Sequence, residues 1–309
     1  MKKRNNIIAI IGATATGKSL LAIELAKRFS TEIISADSRL VYKDFDIGTA
    51  KPTKQELYEV KHHCVDVVSP KEEFSVTEFK MLAQNAIDKL FAENKIPIIA
   101  GGTGFYVKAL LEGFSIPKVK ADEDFRKEMR DIAREKGNEY LYEILKTKDE
   151  KIAQKLHFND VFRVIRALEV INTTGEKMSD LQRSAPPDFD IYYVFLDAKE
   201  RSYLYERINK RVKIMLDMGL VEETKNLINK YDKTVSILKT LGYKEVCEYL
   251  ENQIDYDDMV EKICKNTRNF AKRQLTWFRR YVTADKFYID ELSEKELTKM
   301  AEEKCISMM

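Results

Sequence analysis

Short apolar runs in the first hundred residues alternate with longer stretches of helical periodicity. The continuous apolar runs at residues 6–11, 31–35 and 96–100 predict buried strands of a parallel sheet. A helical pattern begins at Gly17, and residues 76–94 form an amphipathic helical pattern before the third run. Strands that alternate with helices in this way are typical of an α/β fold with a parallel sheet.

The pattern changes after Pro117. Residues 122–182 are highly charged and helically patterned, with no convincing strand, whereas residues 191–196 return to an apolar strand pattern. Residues 200–280 are again largely helical, and the last two dozen residues carry no functional signal. The chain is therefore expected to form a first core segment, an all-helical insertion, and a second core segment with basic C-terminal helices, at residues 1–117, 118–188 and 189–309.

The composition is that of a folded globular protein. Of the 309 residues, 44% are hydrophobic and 34% are charged, and no apolar run approaches the length of a membrane span. The four cysteines show no C-x-x-C spacing, which favours separate thiols in a reducing compartment and predicts a cytoplasmic protein. No obligate protein partner is evident, so we expect a monomer. Since the net charge is only +2, a nucleic-acid partner must be bound by a local basic patch.

A phosphate-binding motif lies between the first predicted strand and the first predicted helix. Residues 12–19 match G-x-x-x-x-G-K-[ST] at every fixed position, which predicts a P-loop NTPase-like core. Backbone N–H groups and the helix N-terminus would surround a diphosphate, Lys18 would reach its oxygens, and the Ser19 hydroxyl would ligate Mg²⁺. The motif does not specify a triphosphate. The predicted diphosphate site consists of Gly12, Ala13, Thr14, Ala15, Thr16, Gly17, Lys18 and Ser19.

Two further strand ends are expected beside this loop, because ligands of parallel sheets bind at the carboxyl ends of the strands. Asp37 follows the second strand and is a candidate base or a group that arranges the metal; an acid in that place is also a common helix cap. Thr103 lies in a glycine-rich turn after the third strand. It is a candidate hydrogen-bond partner of a phosphate or a base, and otherwise an ordinary turn residue.

Three segments are candidates for contact with nucleic acid. Residues 262–280 contain seven basic residues, no acidic one and several aromatic side chains, although a basic helix alone is more often a solvated face. Arg163 and Arg166 mark a second candidate, which would look the same in a helix whose apolar side packs inward. Residues 242–244 are a third candidate, or else a turn that connects two helices.

Several motifs in this sequence together resemble the tRNA dimethylallyltransferase family over nearly the whole chain. They are GATATGKS, DSRLVYKDFDIGTAKP, HHCVDVVSP, GGTGFYVKAL, LHFNDVFRVIRALEV, RINKRVKIMLDMGLVEE, LGYKEV and NFAKRQLTWFRR, in that order. The P-loop alone is shared by many enzymes, whereas the ensemble is specific. Many family members have Gln where this chain has Leu40, and leucine cannot donate a hydrogen bond to a base edge.

The resemblance implies an enzyme that modifies tRNA. The donor would be dimethylallyl diphosphate, and the acceptor the N6 amine of the adenosine 3′ of the anticodon in tRNAs that read codons beginning with U. The helical insertion would grip the anticodon stem-loop. Asp37 matches the general base, Thr103 a residue at the substrate, and Arg211 an arginine that stabilises the diphosphate. The implied tRNA contacts are Asp37, Ser38, Arg39, Leu40, Thr103, Phe162, Arg163, Arg166, Gly242, Tyr243, Lys244, Lys272, Arg273, Gln274, Trp277 and Arg279.

Three alternative functions remain open from the residues alone. A small-molecule P-loop kinase would use the P-loop and Asp37 equally well, but it leaves the basic helix and the insertion unexplained. An adenylate isopentenyltransferase would have little use for segments that bind RNA. A P-loop RNA-binding protein would use a nucleotide as a switch and would not need Asp37. The adjacent His62 and His63 lack neighbouring ligands at a spacing suited to zinc.

Overall fold

The computed structural model describes residues 5–117, 119–182, 184–185, 187–281 and 283–307. Its first elements alternate between strand and helix, as predicted. They are β1 (Asn5–Gly12), α1 (Lys18–Arg28), β2 (Ile33–Ser35), α2 (Lys54–Glu59), β3 (His62–His63), α3 (Val76–Ala92), β4 (Ile98–Gly101) and α4 (Gly104–Leu111).

The regular elements described in the middle of the chain are helices. They are α5 (Glu123–Lys136), α6 (Asn138–Lys148), α7 (Glu150–Ala153), α8 (Val161–Thr174) and α9 (Met178–Leu181). The rest of the chain adds two strands to the sheet, one directly after the helical segment and one near its end. Its elements are β5 (Phe189–Asp197), α10 (Arg201–Asp217), α11 (Leu220–Tyr231), a 3₁₀ helix (Ser236–Lys239), α12 (Tyr243–Leu250), α13 (Tyr256–Phe278), β6 (Asp285–Tyr288) and α14 (Glu294–Ser307).

The described strands form one parallel sheet in the order β3-β2-β4-β1-β5-β6. The central strand β1 is buried on both faces, and its side chains from Ile7 to Ile11 are at most 2% exposed. This burial explains its continuous apolar run, since a parallel strand covered on both sides has no polar face. The α/β fold class is therefore confirmed. Because the strands are parallel, the residues that follow β1, β2 and β4 lie at one edge of the sheet.

The chain divides into two compact units. One comprises the residues up to Leu110 together with those from Asp188 onwards, and the other runs from Leu111 to Pro187. The sequence predicted an insertion at 118–188; Lys118 lies outside the described residues. In the second unit Leu141, Leu145 and Val164 belong to a separate apolar core.

A fully buried carboxylate organises the second unit. Glu169 is 0% exposed and accepts hydrogen bonds from the backbone N–H of Asp122 at 2.8 Å and from Arg126 Nε at 2.8 Å. It also accepts one from Arg166, whose second nitrogen donates to the Val119 carbonyl at 2.9 Å. Since an unpaired buried charge is costly, these arginines compensate Glu169. None of the described helices is both long and apolar enough to cross a membrane.

The long loop between β2 and α2 is held by two polar side chains. Lys51, 3% exposed, donates to the Tyr42 carbonyl at 3.0 Å and to Asp46 at 2.6 Å. Glu223 on α11 accepts from the N–H groups of Ile47 at 2.8 Å and Gly48 at 3.1 Å. The same carboxylate accepts from the hydroxyl of Tyr243 at 2.7 Å. These bonds order a segment that has no regular secondary structure of its own.

Gly48 is required in this loop because the ring of Tyr243 occupies the place of a side chain. A Cβ at position 48 would lie 2.4 Å from Cζ of Tyr243, and that ring is fully buried. We expect Gly48→Ala to lower the free energy of unfolding by about 1–3 kcal/mol, as overpacking does. Urea unfolding measures this change. In a Tyr243→Ala background the same substitution should cost less; an equal cost in both backgrounds would contradict the assignment.

Candidate functional site

The P-loop follows β1 and leads into α1. Gly17 is the N-cap of α1 with φ +91°, a left-handed conformation that glycine adopts without strain. A Cβ at Gly12 would lie 2.4 Å from the carbonyl oxygen of Leu196, so β1 and β5 approach too closely there for a side chain. The hydroxyl of Thr16 donates to the Ala13 carbonyl at 2.8 Å and closes the loop on itself. The loop therefore has the compact form that presents backbone N–H groups to an anion.

Lys18 lies half-buried in this loop among other charges. Its ammonium donates to the Ala13 carbonyl. Burial lowers its pKa from 10.5 to about 7, with a further lowering by Arg211 and an opposing effect of Asp37. The pKa of Arg211 is also lowered, first by burial and then by Arg39, while Asp37 opposes these effects. The site is thus an electropositive pocket in which Asp37 faces two half-buried cations.

Helix α10 supplies the second side of the phosphate site. Arg207 donates from Nε to the Ala15 carbonyl at 2.9 Å, and Arg211 follows one helical turn later on the same face. Arg207, Lys210 and Arg211 line, with P-loop residues, an outer cavity of about 350 Å³. Arg211 was expected here from the family resemblance, and its role stays a prediction, whereas Arg207 was not expected. The i, i+4 spacing of the two arginines in RINKR was the available signal.

The inner cavity, about 120 Å³, lies between the P-loop and the carboxyl ends of β2 and β4. Its polar lining includes Lys18, Ser19, Asp37, Arg39 and Arg211. Its apolar lining comes from helices α10, α11 and α13, and includes Ile208, Val212, Met215, Leu220 and Ile263. One cavity therefore combines an anion site, a carboxylate and an apolar wall.

Asp37 and Thr103 lie on neighbouring strand ends, as predicted, and both are tied to the local backbone. Thr103 Oγ1 accepts from the Ser38 N–H at 3.0 Å and donates to Ser38 Oγ at 3.3 Å. One oxygen of Asp37 accepts from the Arg39 N–H at 2.9 Å. Arg39 is held over the ring of Phe270 at 4.9 Å and donates to the Leu241 carbonyl at 3.3 Å. The catalytic roles of Asp37 and Thr103 stay predictions.

The predicted tRNA contacts separate into exposed and buried side chains. Exposed members on α8, α12 and α13 include Phe162, Arg163, Lys244, Lys272, Arg273 and Arg279. Gly242 is buried and Leu40 is partly buried, and Arg166 pairs with Glu169. Tyr243 is fully buried, and Gln274, 6% exposed, bonds to backbone groups of the first unit. Trp277 is half-buried against Gly104, where a Cβ would lie 2.1 Å from its ring.

The residues at the P-loop suit a metal that arrives with a phosphate ligand. Among the described residues, no group of three or more His, Cys, Asp or Glu side chains forms a self-sufficient metal site. Ser19 and Asp37 line the same cavity and offer oxygen atoms. Mg²⁺ commonly takes one or two protein oxygens and completes its shell with substrate phosphates and water, so this donor set fits.

The adjacent histidines of β3 bond to other groups. His62 bonds through Nδ1 to the Val60 carbonyl, and His63 through Nε2 to Glu32.

Anion binding at Lys18 should depend on pH. In the free protein its pKa is about 7, and a bound diphosphate favours the charged ammonium, so the pKa is higher in the complex. Above pH 7, Lys18 must therefore take up a proton when the anion binds. The affinity of the natural protein for pyrophosphate should fall by up to about tenfold per pH unit. Calorimetric titration without metal measures it. Lys18→Met provides the control, since the ratio of the two affinities removes the ligand's own ionisation; a constant ratio would refute the prediction.

Comparisons with known proteins agree over most of the chain. The sequence model of the IPP transferase family matches residues 40–281. The tRNA dimethylallyltransferase of Caldanaerobacter subterraneus subsp. tengcongensis is 44% identical over 295 residues, which cover 94% of each chain.

Two solved structures resemble the fold. A tRNA isopentenylpyrophosphate transferase from Bacillus halodurans is 35% identical with a TM-score of 0.73, over 99% of this chain and 96% of that one. A eukaryotic dimethylallyltransferase acting on tRNA is 32% identical with a TM-score of 0.73, over 89% of this chain and 70% of the other. With a family match across most of its length and close relatives over nearly all of it, this chain belongs to the IPP transferase family.

Proposed function

We propose that this protein transfers a dimethylallyl group from dimethylallyl diphosphate to the N6 amine of the adenosine 3′ of the anticodon, in tRNAs that read codons beginning with U. The observation that carries the proposal is the inner cavity, where the cations Lys18 and Arg211 face the carboxylate of Asp37 beside an apolar wall. The cations suit a diphosphate, and the apolar wall suits a hydrocarbon chain. The carboxylate suits an amine nucleophile that must lose a proton.

The reaction forms a carbon–nitrogen bond and breaks a carbon–oxygen bond. The N6 amine attacks C1 of the dimethylallyl group, the C1–O bond breaks, and diphosphate leaves with the bonding electrons. The amine loses one proton, which passes to the carboxylate of Asp37. An adenine amine is a weak nucleophile, so this base would accelerate the step by about 10²–10⁴-fold.

The leaving group gains negative charge as the C1–O bond breaks. Lys18, Arg211 and the N–H groups of the P-loop would stabilise that charge with dipoles and cations already in place. Mg²⁺, held through Ser19 and the phosphate oxygens, would supply additional positive charge to the diphosphate. Arg207 would keep the loop in position through its bond to the Ala15 carbonyl.

The acceptor base must leave its stack to enter such a cavity. Lys272, Arg273 and Arg279 on α13 are exposed, as residues that bind phosphates must be. Phe162 is 76% exposed on α8 next to Arg163, which suits stacking on an unpaired base beside a phosphate contact. These residues support a role for both units in binding the anticodon stem-loop. A cytoplasmic location and a monomeric state stay predictions from the sequence.

Incubation with labelled dimethylallyl diphosphate, Mg²⁺ and unmodified tRNA tests the function directly, with AMP as the acceptor in a parallel reaction. We expect label in tRNA and none in AMP. Label in AMP alone would indicate an adenylate isopentenyltransferase. Consumption of ATP with a small acceptor, and no labelled product, would indicate a kinase.

Replacing Asp37 by Asn should separate chemistry from binding. The amide keeps the size of the side chain and accepts the Arg39 N–H bond, but it cannot take the proton of the amine. Single-turnover transfer should therefore slow by about 10²–10⁴-fold, while filter binding shows tRNA affinity within a few-fold of the natural protein. Asp124→Asn, an exposed acid on α5, serves as the control. Transfer at the natural rate would rule out Asp37 as the base.

The basic face of α13 should make tRNA binding depend on salt. Lys272→Ala and Arg279→Ala would each remove one phosphate contact, so the slope of log affinity against log salt should fall by about 0.7–0.9 per residue. Lys299→Ala on α14, whose side chain is 75% exposed, is a matched loss of charge elsewhere. Equal slopes for all the variants would exclude α13 from the interface.

A further inference from the structure

One backbone donor of the P-loop is occupied by a side chain from α13. The N–H of Thr14 donates to Oε1 of Gln274 at 2.8 Å, across 260 positions of sequence. A P-loop binds phosphate through its backbone N–H groups, so an N–H that bonds to a carboxamide oxygen is not available to the anion. The partial negative charge of that oxygen also repels any phosphate oxygen that approaches Thr14.

Gln274 is fixed in this position by its other end. Its Nε2 donates to the Gly102 carbonyl at 2.9 Å, and the residue is 6% exposed. A Cβ at Gly102 would lie 2.4 Å from Nε2, so the glycine makes room for the carboxamide. If the side chain swung away, the Gly102 carbonyl and the Thr14 N–H would both lose their partner. A phosphate therefore cannot displace the carboxamide without cost.

The carboxamide lies on the inner side of the loop. Thr14 and Gln274 line the inner cavity with Asp37, whereas Ala15 and Gly17 line the outer cavity. Lys18 and Ser19 line both cavities. An anion seated on Lys18, Ser19 and the N-terminus of α1 would therefore lie where the two cavities meet. A group that extends from this anion into the inner cavity enters the space that Thr14, Asp37 and Gln274 line.

We propose that Gln274 selects a diphosphate against a triphosphate, by excluding a third phosphate from the inner side of the P-loop. The group that extends inward from the bound diphosphate must then be uncharged, as the hydrocarbon of a prenyl donor is. The proposal rests on the proposed function for the identity of that group. It makes Gln274 a specificity-determining residue that acts at the anion site, in addition to its predicted place among the tRNA contacts.

Metal-free calorimetry with inorganic pyrophosphate and inorganic tripolyphosphate tests this selection. In Gln274→Ala and Gln274→Met the Thr14 N–H is freed, so affinity for tripolyphosphate relative to pyrophosphate should rise by about tenfold, as one regained charge-assisted hydrogen bond would produce. Gln274→Glu keeps an acceptor at Thr14 and should not gain tripolyphosphate affinity. Thr276→Ala, an exposed position on the same helix, should leave both affinities unchanged.

An unchanged ratio in both the Ala and Met variants would overturn the proposal, and so would an equal gain in the Glu variant. Retained pyrophosphate binding shows that each variant is folded at the site. The measurement uses neither tRNA nor a prenyl donor, so its failure is distinct from a failure of label transfer to tRNA. Label transfer with an unchanged ratio would leave the transferase function standing and remove the role of Gln274.

Discussion

The structure depends on positive charge that is half-buried and largely desolvated before its counter-ion arrives. Lys18, Arg211 and Arg39 are all desolvated, and their pKa values are lowered mainly by burial. Asp37 opposes this lowering at each of the three, so one carboxylate faces several cations. Such an arrangement is unfavourable in the free protein and becomes favourable when a diphosphate supplies the missing negative charge. The free energy stored in this arrangement is available to bind the donor and to stabilise its leaving group.

A rigid scaffold is needed to hold cations that repel one another. The P-loop follows β1 and Asp37 follows β2, and both strands pair with β4. In this sheet the central strand β1 is buried from Ile7 to Gly12. Helix α10 contributes Arg211 and ties the P-loop through Arg207, while α13 bonds to the P-loop and to the end of β4 through Gln274. The sheet and the two helices thus hold the charged side chains in place, which limits their movement towards solvent.

The sequence was most informative where function depends on local order along the chain. The P-loop and the acid after β2 were predicted because strand, turn and helix signals are adjacent there. The strands β3 and β6 were missed because their sequences, His-His and Asp-Lys-Phe-Tyr, lack the continuous apolar run that marks β2 and β4. The bonds of Gln274 to Thr14 and of Tyr243 to Glu223 join distant segments, so no local pattern reveals them. The sequence of α13 shows a basic helix, but it does not show that Gln274 on that helix is buried.

The apolar wall and the buried carboxamide of Gln274 both bear on how water is kept from the reacting carbon. An allylic carbon that loses diphosphate becomes electrophilic, and water would capture it as readily as an amine does. Side chains such as Ile208, Val212 and Leu220, each at most 2% exposed, offer water no hydrogen bond on that side of the cavity. Gln274 satisfies the polar groups of Thr14 and Gly102 that would otherwise recruit water there. In the mechanism that we propose, the glutamine that restricts the anion site would therefore also exclude water from it, and the adenine amine beside Asp37 would be the favoured nucleophile.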